Sequence, residues 1–173
     1  MAGDSDEKLV RAIRAGSREA ASELFTRHYR SVWKAAFAIG GRRSLADDAT
    51  QETFVRLIER IDQYDDRRPL RPWLNRIAAN RVIDLLRRER RERPLDDTAE
   101  GLVEWEAVAD SDGAFVARMA TLDIERRAVV VLRYGLDLGP GEIAAVLGVP
   151  VGTVNSRLAR ALGQLREEVD SHA

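Results

Sequence analysis

The sequence predicts an all-α chain made of two small helical domains, and three observations carry that prediction. Ala, Leu, Arg and Glu, all strong helix formers, dominate the 173 residues. β-branched runs are short and no hairpin signal stands between them. The net charge of −1 also conceals blocks of opposite sign. Residues 1–93 hold 21 basic and 15 acidic side chains, while 94–117 hold seven acidic ones and no basic one. Residues 118–173 hold seven of each. A neutral average built this way points to separate modules with separate partners.

The elements follow in order. A first helix covers about 6–15 and ends near Gly16. Ser17 is the N-cap of a second, which runs to about 39 and stops at Gly40-Gly41, where glycine tolerates the left-handed conformation. Ser44 followed by Asp47 resembles a capping box and opens a third helix through about Ile61, with Phe54, Val55, Leu57, Ile58 and Ile61 at helical spacing. Residues 62–69 break the pattern as a loop. A fourth helix, about 70–92, carries Pro72 in its first turn and ends in the arginine-rich run 87–93. Pro94 closes this first module, 1–93. The acidic segment 94–113 is a linker, and its Leu102, Val103, Trp105 and Val108 suit docking better than free spacing. A second module, 114–173, holds three or four short helices.

Composition excludes several chemistries. Without cysteine there is no disulfide, Fe–S cluster, thiolate zinc site or thiol nucleophile. His28 and His172 are the only histidines, which argues against a triad, an HExxH zinc site or a multi-histidine metal centre, so no cofactor or metal is expected. No phosphate-binding glycine loop or nucleophile–base pair is visible, which disfavours an enzyme. No apolar run reaches about 18 residues, and the acidic N-terminus is unlike a signal peptide. The chain is expected to be soluble and cytoplasmic, without membrane insertion.

Residues 139–162, "GPGEIAAVLGVPVGTVNSRLARAL", carry the strongest local signal. Pro140 fits the first position of a helix, Glu142 favours its N-terminal dipole, and Gly148 ends it in a tight turn. A second helix follows from about Val151. At 100° per residue, Val154, Leu158, Ala161 and Leu165 share its inner face. Gly152, Thr153, Ser156, Ala159 and Arg160 face outward, small enough for close approach to base edges and able to hydrogen-bond them. Arg133 and Arg157 flank this face, within reach of phosphates. The pattern is that of a helix-turn-helix, the plainer alternative being an αα-hairpin with a solvated face.

The fourth helix has a second such face. Trp73, Ile77, Asn80, Asp84, Arg87 and Arg91 lie within about 40° of one line, with Leu74, Ala78 and Leu85 turned inward. Arginines neutralise phosphates, aromatics stack on bases, and an amide reads an extruded base, so the stripe suits an unpaired strand. Trp73 is equally compatible with the core.

Taken together, "DDATQETFVRLIERIDQYD", "LRPWLNRIAANRVIDLLRRERR" and "GEIAAVLGVPVGTVNSRLARALGQLRE" resemble extracytoplasmic-function sigma factors, the small two-domain members of the sigma-70 family. The resemblance covers about residues 8–168. It implies a chain that binds bacterial core RNA polymerase, directs it to promoters and promotes melting. On it, Asp48, Gln51, Glu52 and Arg56 meet the clamp helices of the largest polymerase subunit (β′), and the second module meets the β flap. Asn80 and the 62–69 loop, with Tyr64 and Arg67, form the pocket for a non-template base of the −10 element, with Trp73, Arg76, Arg87 and Arg91 alongside. Arg133, Gly152, Thr153, Asn155, Ser156, Arg157, Ala159 and Arg160 face the −35 duplex. The acidic linker threads the RNA exit channel, or else serves solubility alone. An anti-sigma protein is an implied partner. The alternative is a free-standing helix-turn-helix regulator, which leaves residues 45–93 unexplained.

Several positions depart from the family pattern. Ala49-Thr50 stands where Leu-Val is frequent, Pro140-Gly141 where a bulky and an acidic residue are, and Asn155 where a basic one is. Ala159 is also small, so few side chains reach the groove. Residues 114–173 alone are therefore expected to bind −35 DNA poorly. A tight, sequence-specific affinity of this fragment in a gel-shift titration would contradict that.

Overall fold

The computed structural model describes residues 5–92 and 118–171. Its first module is a bundle of α2 (Arg18–Gly40), α3 (Arg43–Arg60) and α4 (Leu70–Glu92), with α1 (Asp6–Arg14) laid across it. Ser5 and Ser17 cap α1 and α2 by accepting from the amides of Lys8 and Ala20. Leu24, Val32 and Phe37 of α2, Leu57 of α3, and Leu74, Ala78 and Val82 of α4 form the centre of the bundle. Arg14 ties α1 to the short 3-10 turn Ile61–Gln63, donating to the carbonyls of Ile61 (3.0 Å) and Tyr64 (2.6 Å).

The α2–α3 corner depends on glycine. Gly41 takes the left-handed conformation (φ 70°) and donates to Phe37 O, which ends α2. A side chain on Gly40 would place its Cβ 3.2 Å from Val82 Cγ1, so the end of α2 approaches α4 closely. Because the chain re-enters helix only two residues after Gly41, Arg42 is the N-cap of α3 and makes no side-chain cap bond. Ser44, expected as that cap, lies in the first turn instead.

The second module begins, among the described residues, with a helical turn at 118–121. Then come α5 (Ile124–Val130), α6 (Pro140–Leu147) and α7 (Val151–Ser171). Asp123 caps α5 by accepting from Arg126 N at 2.8 Å. α5 runs on as one π-helical turn, Val131–Gly135, in which Leu136 N reaches back five residues to Val131 O. Leu122, Val129, Leu132, Ile143, Val154 and Ala161 make the core of this module. The expected linker, 94–113, and the start of the second module, 114–117, lie outside the described residues.

A buried hydroxyl in the first core lacks a partner. Thr50 is fully buried on α3 and its Oγ1 has no hydrogen bond, whereas Thr53 donates to Ala49 O at 2.6 Å. An unpaired buried hydroxyl is destabilising, and valine keeps the shape without it. Thr50→Val should raise the unfolding free energy by about 1 kcal/mol in urea titration. A loss of stability would show that the hydroxyl is bonded.

Candidate nucleic-acid and polymerase interfaces

The stripe expected on α4 forms, because the arc opposite it is taken by the bundle. Leu74, Ala78 and Val82 are fully buried, Trp73, Ile77 and Asn80 are half-buried, and Asp84, Arg87 and Arg91 are exposed. Arg76 is half-buried beside them, and Leu85, expected inside, is half-buried at the edge. Asn80 Oδ1 is sealed from solvent and has no hydrogen-bond partner. No bond within the protein holds the amide, and its oxygen meets a ligand only once the side chain turns outward.

The loop before α4 is arranged differently from the expectation. Tyr64 is only 6% exposed, tilts against Trp73 with ring centroids 5.1 Å apart, and donates its hydroxyl to Arg68 O. Burial, with the carboxylates of Asp6 and Asp66 nearby, pushes its phenol above the ordinary value. Tyr64 is therefore a support behind Trp73 rather than a surface contact, because the loop needs an apolar anchor to return to the bundle. Trp73 packs on Tyr64 and against the core and is half-buried. Arg67 is exposed but forks onto Asp65, at 2.9 Å from Nε and 3.2 Å from Nη2. The hydrogen bonds from Arg67 hold the Asp65 carboxyl below its usual range, and the same pairing raises the guanidinium.

On α3, Asp48 and Gln51 are exposed on one face. Glu52 and Arg56 pair at 2.9 Å and are half-buried, and Arg81 of α4 reaches the other Glu52 oxygen. The structure adds three residues to this surface. Phe25 (39% exposed), Val55 (56%) and Ile58 (48%) form an apolar patch, with Phe25 4.7 Å from Phe54 between ring centroids. Val55 and Ile58 recur at helical spacing with Phe54 and Leu57, yet on the wheel both fall about 40–100° beyond Phe54, outside the buried arc from Ala49 to Phe54. Ala49 and Thr50 are fully buried, so the departure from Leu-Val falls in the core and not on this face.

The helix-turn-helix is present as α6, Gly148 (φ 62°) and α7. The Gly139 amide donates to Glu142 Oε2 at 2.9 Å and fixes the start of α6. Val154 and Ala161 are fully buried. Gly152, Asn155, Ser156, Ala159 and Arg160 are exposed, and Thr153 is half-buried. The Ser156 hydroxyl donates back to Thr153 O at 3.0 Å. The two flanking arginines have partners within the chain. Arg157 pairs with Glu125, and Arg133 donates to Leu138 O (3.2 Å), lies 3.7 Å from Asp137 and sits 5.9 Å from the centroid of exposed Tyr134. Among the described residues, no helix is long and apolar enough to cross a membrane.

This pairing of a stripe on α4 with a helix-turn-helix has counterparts among known proteins. The sigma-70 region 2 family model matches residues 24–92, and the sigma-70 region 4 model matches 112–165. The RNA polymerase sigma factor CnrH of Cupriavidus metallidurans is 33% identical over 97% of this chain and 96% of its own length. The extracytoplasmic-function sigma factor SigL of Mycobacterium tuberculosis is 31% identical over 91% of this chain and 94% of its own. The chain belongs to the sigma-70 family, in its extracytoplasmic-function group. A solved structure of CnrH in complex with the cytosolic domain of CnrY superposes on this sigma factor with a TM-score of 0.60 at 30% identity, over 98% of this chain and 100% of that one. The sigma factor RpoE of Bartonella quintana, solved with the anti-sigma factor NepR, shares the fold at TM-score 0.61 and 19% identity, covering 86% of this chain and 96% of that one. The region 2 match spans α2 to α4 and the region 4 match spans α5 and α6 with most of α7.

Since Asn80 Oδ1 makes no bond in the sigma factor, removing the amide should have little structural effect. Asn80→Ala is expected to keep the unfolding free energy within about 0.5 kcal/mol of the wild type in urea titration. A loss of about 2 kcal/mol would instead mark Asn80 as a structural residue.

Proposed function

We propose that this sigma factor acts through three separate surfaces, on residues 1–93, 94–113 and 114–173. The α3 face, with Asp48, Gln51, Glu52 and Arg56 and the apolar patch of Phe25, Val55 and Ile58, docks on the clamp helices of the core polymerase. Val55 and Ile58 supply the apolar centre that an interface needs, and the charged residues supply its rim. The stripe Trp73–Ile77–Asn80 holds the unpaired non-template strand of the −10 element, with Arg76, Arg87 and Arg91 on phosphates. The N-terminal half of α7, with Gly152, Thr153, Asn155, Ser156, Ala159 and Arg160, faces the −35 duplex. Arg133 and Arg157 join in only by exchanging their present partners for phosphate.

The observation that carries this reading is the α4 stripe. An aromatic, an amide with an unpartnered oxygen and several arginines lie in line on a helix held rigid from behind. A protein that binds only the open form shifts the melting equilibrium toward it, and extruding a base costs a few kcal/mol. The sigma factor itself makes and breaks no covalent bond, and the polymerase supplies that chemistry. The acidic linker suits the basic RNA exit channel, and the second module suits the β flap. Complexes of CnrH with CnrY and of RpoE with NepR support an anti-sigma partner here too.

Run-off transcription from fragmented host DNA tests this. Core polymerase with the wild-type protein should yield new starts that share a −35/−10 pair. Asn80→Ala should abolish these starts while still co-purifying with core, and Ile58→Glu should lose core binding by tenfold or more. Specific duplex binding without polymerase, and no new starts with it, would move the assignment to a free-standing regulator.

A further inference from the structure

The side chain of Arg14, the last residue of α1, turns onto the segment that precedes α4. Its Nε and Nη2 donate to Ile61 O at 3.1 and 3.0 Å, and Nη2 also donates to Tyr64 O at 2.6 Å. Asp66 lies 3.7 Å from Nη1 and Asp62 lies 4.0 Å from Nε. Ile61 opens the 3-10 turn and Tyr64 caps it, so one guanidinium grips both ends of that turn. Arginine suits the task because its planar fork donates in several fixed directions at once. α1 is itself pinned to the bundle. Leu9, Val10 and Ile13 are buried, and Asp6 at the opposite end accepts from Arg27 at 2.9 Å and pairs with His28 Nε2 at 2.9 Å. α1 is thus a strut tied at both ends, with Arg14 as its tip. The segment it grips has little else to hold it, since only Tyr64 is buried between Ile61 and Leu70.

We propose that Arg14 is a positioning residue for base selection. By fixing the 61–66 segment from behind, it sets the shape of the −10 pocket and hence which non-template base the sigma factor accepts. The inference rests on the functional reading above, in which the 62–69 loop and Asn80 receive an extruded base. Arg14 makes its bonds to the segment and not to the stripe, so it acts through the loop. Telling one base from another by hydrogen bonds requires the pocket to hold its geometry within about 0.5 Å. Without Arg14 the loop is anchored at one point, the Tyr64 ring on Trp73, and is free to pivot about it. Stacking on Trp73 and arginine contacts to phosphates tolerate any base, so strand capture survives this freedom. Discrimination does not, because a pocket that shifts no longer leaves the groups of a wrong base unpaired. Loss of Arg14 therefore falls on selectivity more than on affinity.

The test uses holoenzyme assembled from core polymerase and the full chain. Its templates derive from one promoter found by run-off transcription, with each −10 and −35 position carrying each of the four bases in turn. The quantity read is the ratio of initiation rates between the best and the worst base at each position. In Arg14→Ala, where alanine keeps α1 helical, this ratio should fall about fivefold or more at the most selective −10 position. The −35 ratios and the affinity for core should stay within about twofold of the wild type, since those surfaces lie elsewhere. Arg14→Lys keeps the charge and a donor but not the fork, so its −10 ratio should fall between the two. The same ratio in Arg14→Lys decides the matter if Arg14→Ala proves insoluble. An equal drop in transcription on every template, with all ratios unchanged, would make Arg14 merely structural and overturn the proposal. A −10 preference kept in full by Arg14→Ala would overturn the proposal alone. A wild-type protein without any −10 base preference would overturn the functional reading, and the role of Arg14 with it.

Discussion

Everything in this molecule leans on the circumference of α4. One arc of the helix, Leu74, Ala78 and Val82, is the third wall of the first core. A second, Ile83 and Leu86, meets the other module. Only the remaining stripe, from Trp73 to Arg91, is left for a ligand. A helix presents a fixed number of faces, so these tasks compete for angle rather than for length. Arg87 lies where two of them meet, which is why it both belongs to the stripe and caps α6.

The rigidity of the stripe comes from behind it. Tyr64 fills the space under Trp73, and Arg14 holds the backbone carbonyls of Ile61 and Tyr64. The preceding loop is thereby clamped at the start of α4. A platform that stacks on bases needs this order, since any freedom lost on binding would weaken its grip. The α3 face is built on the same bundle, so on the proposed reading polymerase docking and strand capture share one rigid body.

Much of this was legible in the sequence. Glycine and serine punctuation placed α1, α2 and the helix-turn-helix, because Gly41 and Gly148 are in the left-handed conformation that few other residues tolerate. The wheel of α4 was also right, since burial of one side leaves the other exposed by geometry alone. What failed depended on tertiary contact. Ser44 resembled a cap, yet the tight glycine corner starts α3 before it. Tyr64 looked like a loop aromatic, and only the packing on Trp73 shows it inside. Val55 and Ile58 have core chemistry on a surface arc, a conflict that local pattern cannot resolve. The π-helical turn at Val131–Gly135 leaves no local signature at all.

The most direct measurement is site-specific photo-crosslinking from α4. A photoreactive amino acid replaces Ile77, at the centre of the stripe, in a complex of core polymerase, the sigma factor and its promoter. Crosslinking to the non-template strand within the −10 element, appearing only once the DNA opens, is the predicted result. Crosslinks to duplex DNA before melting, or to protein alone, would contradict the assignment of this face to the unpaired strand.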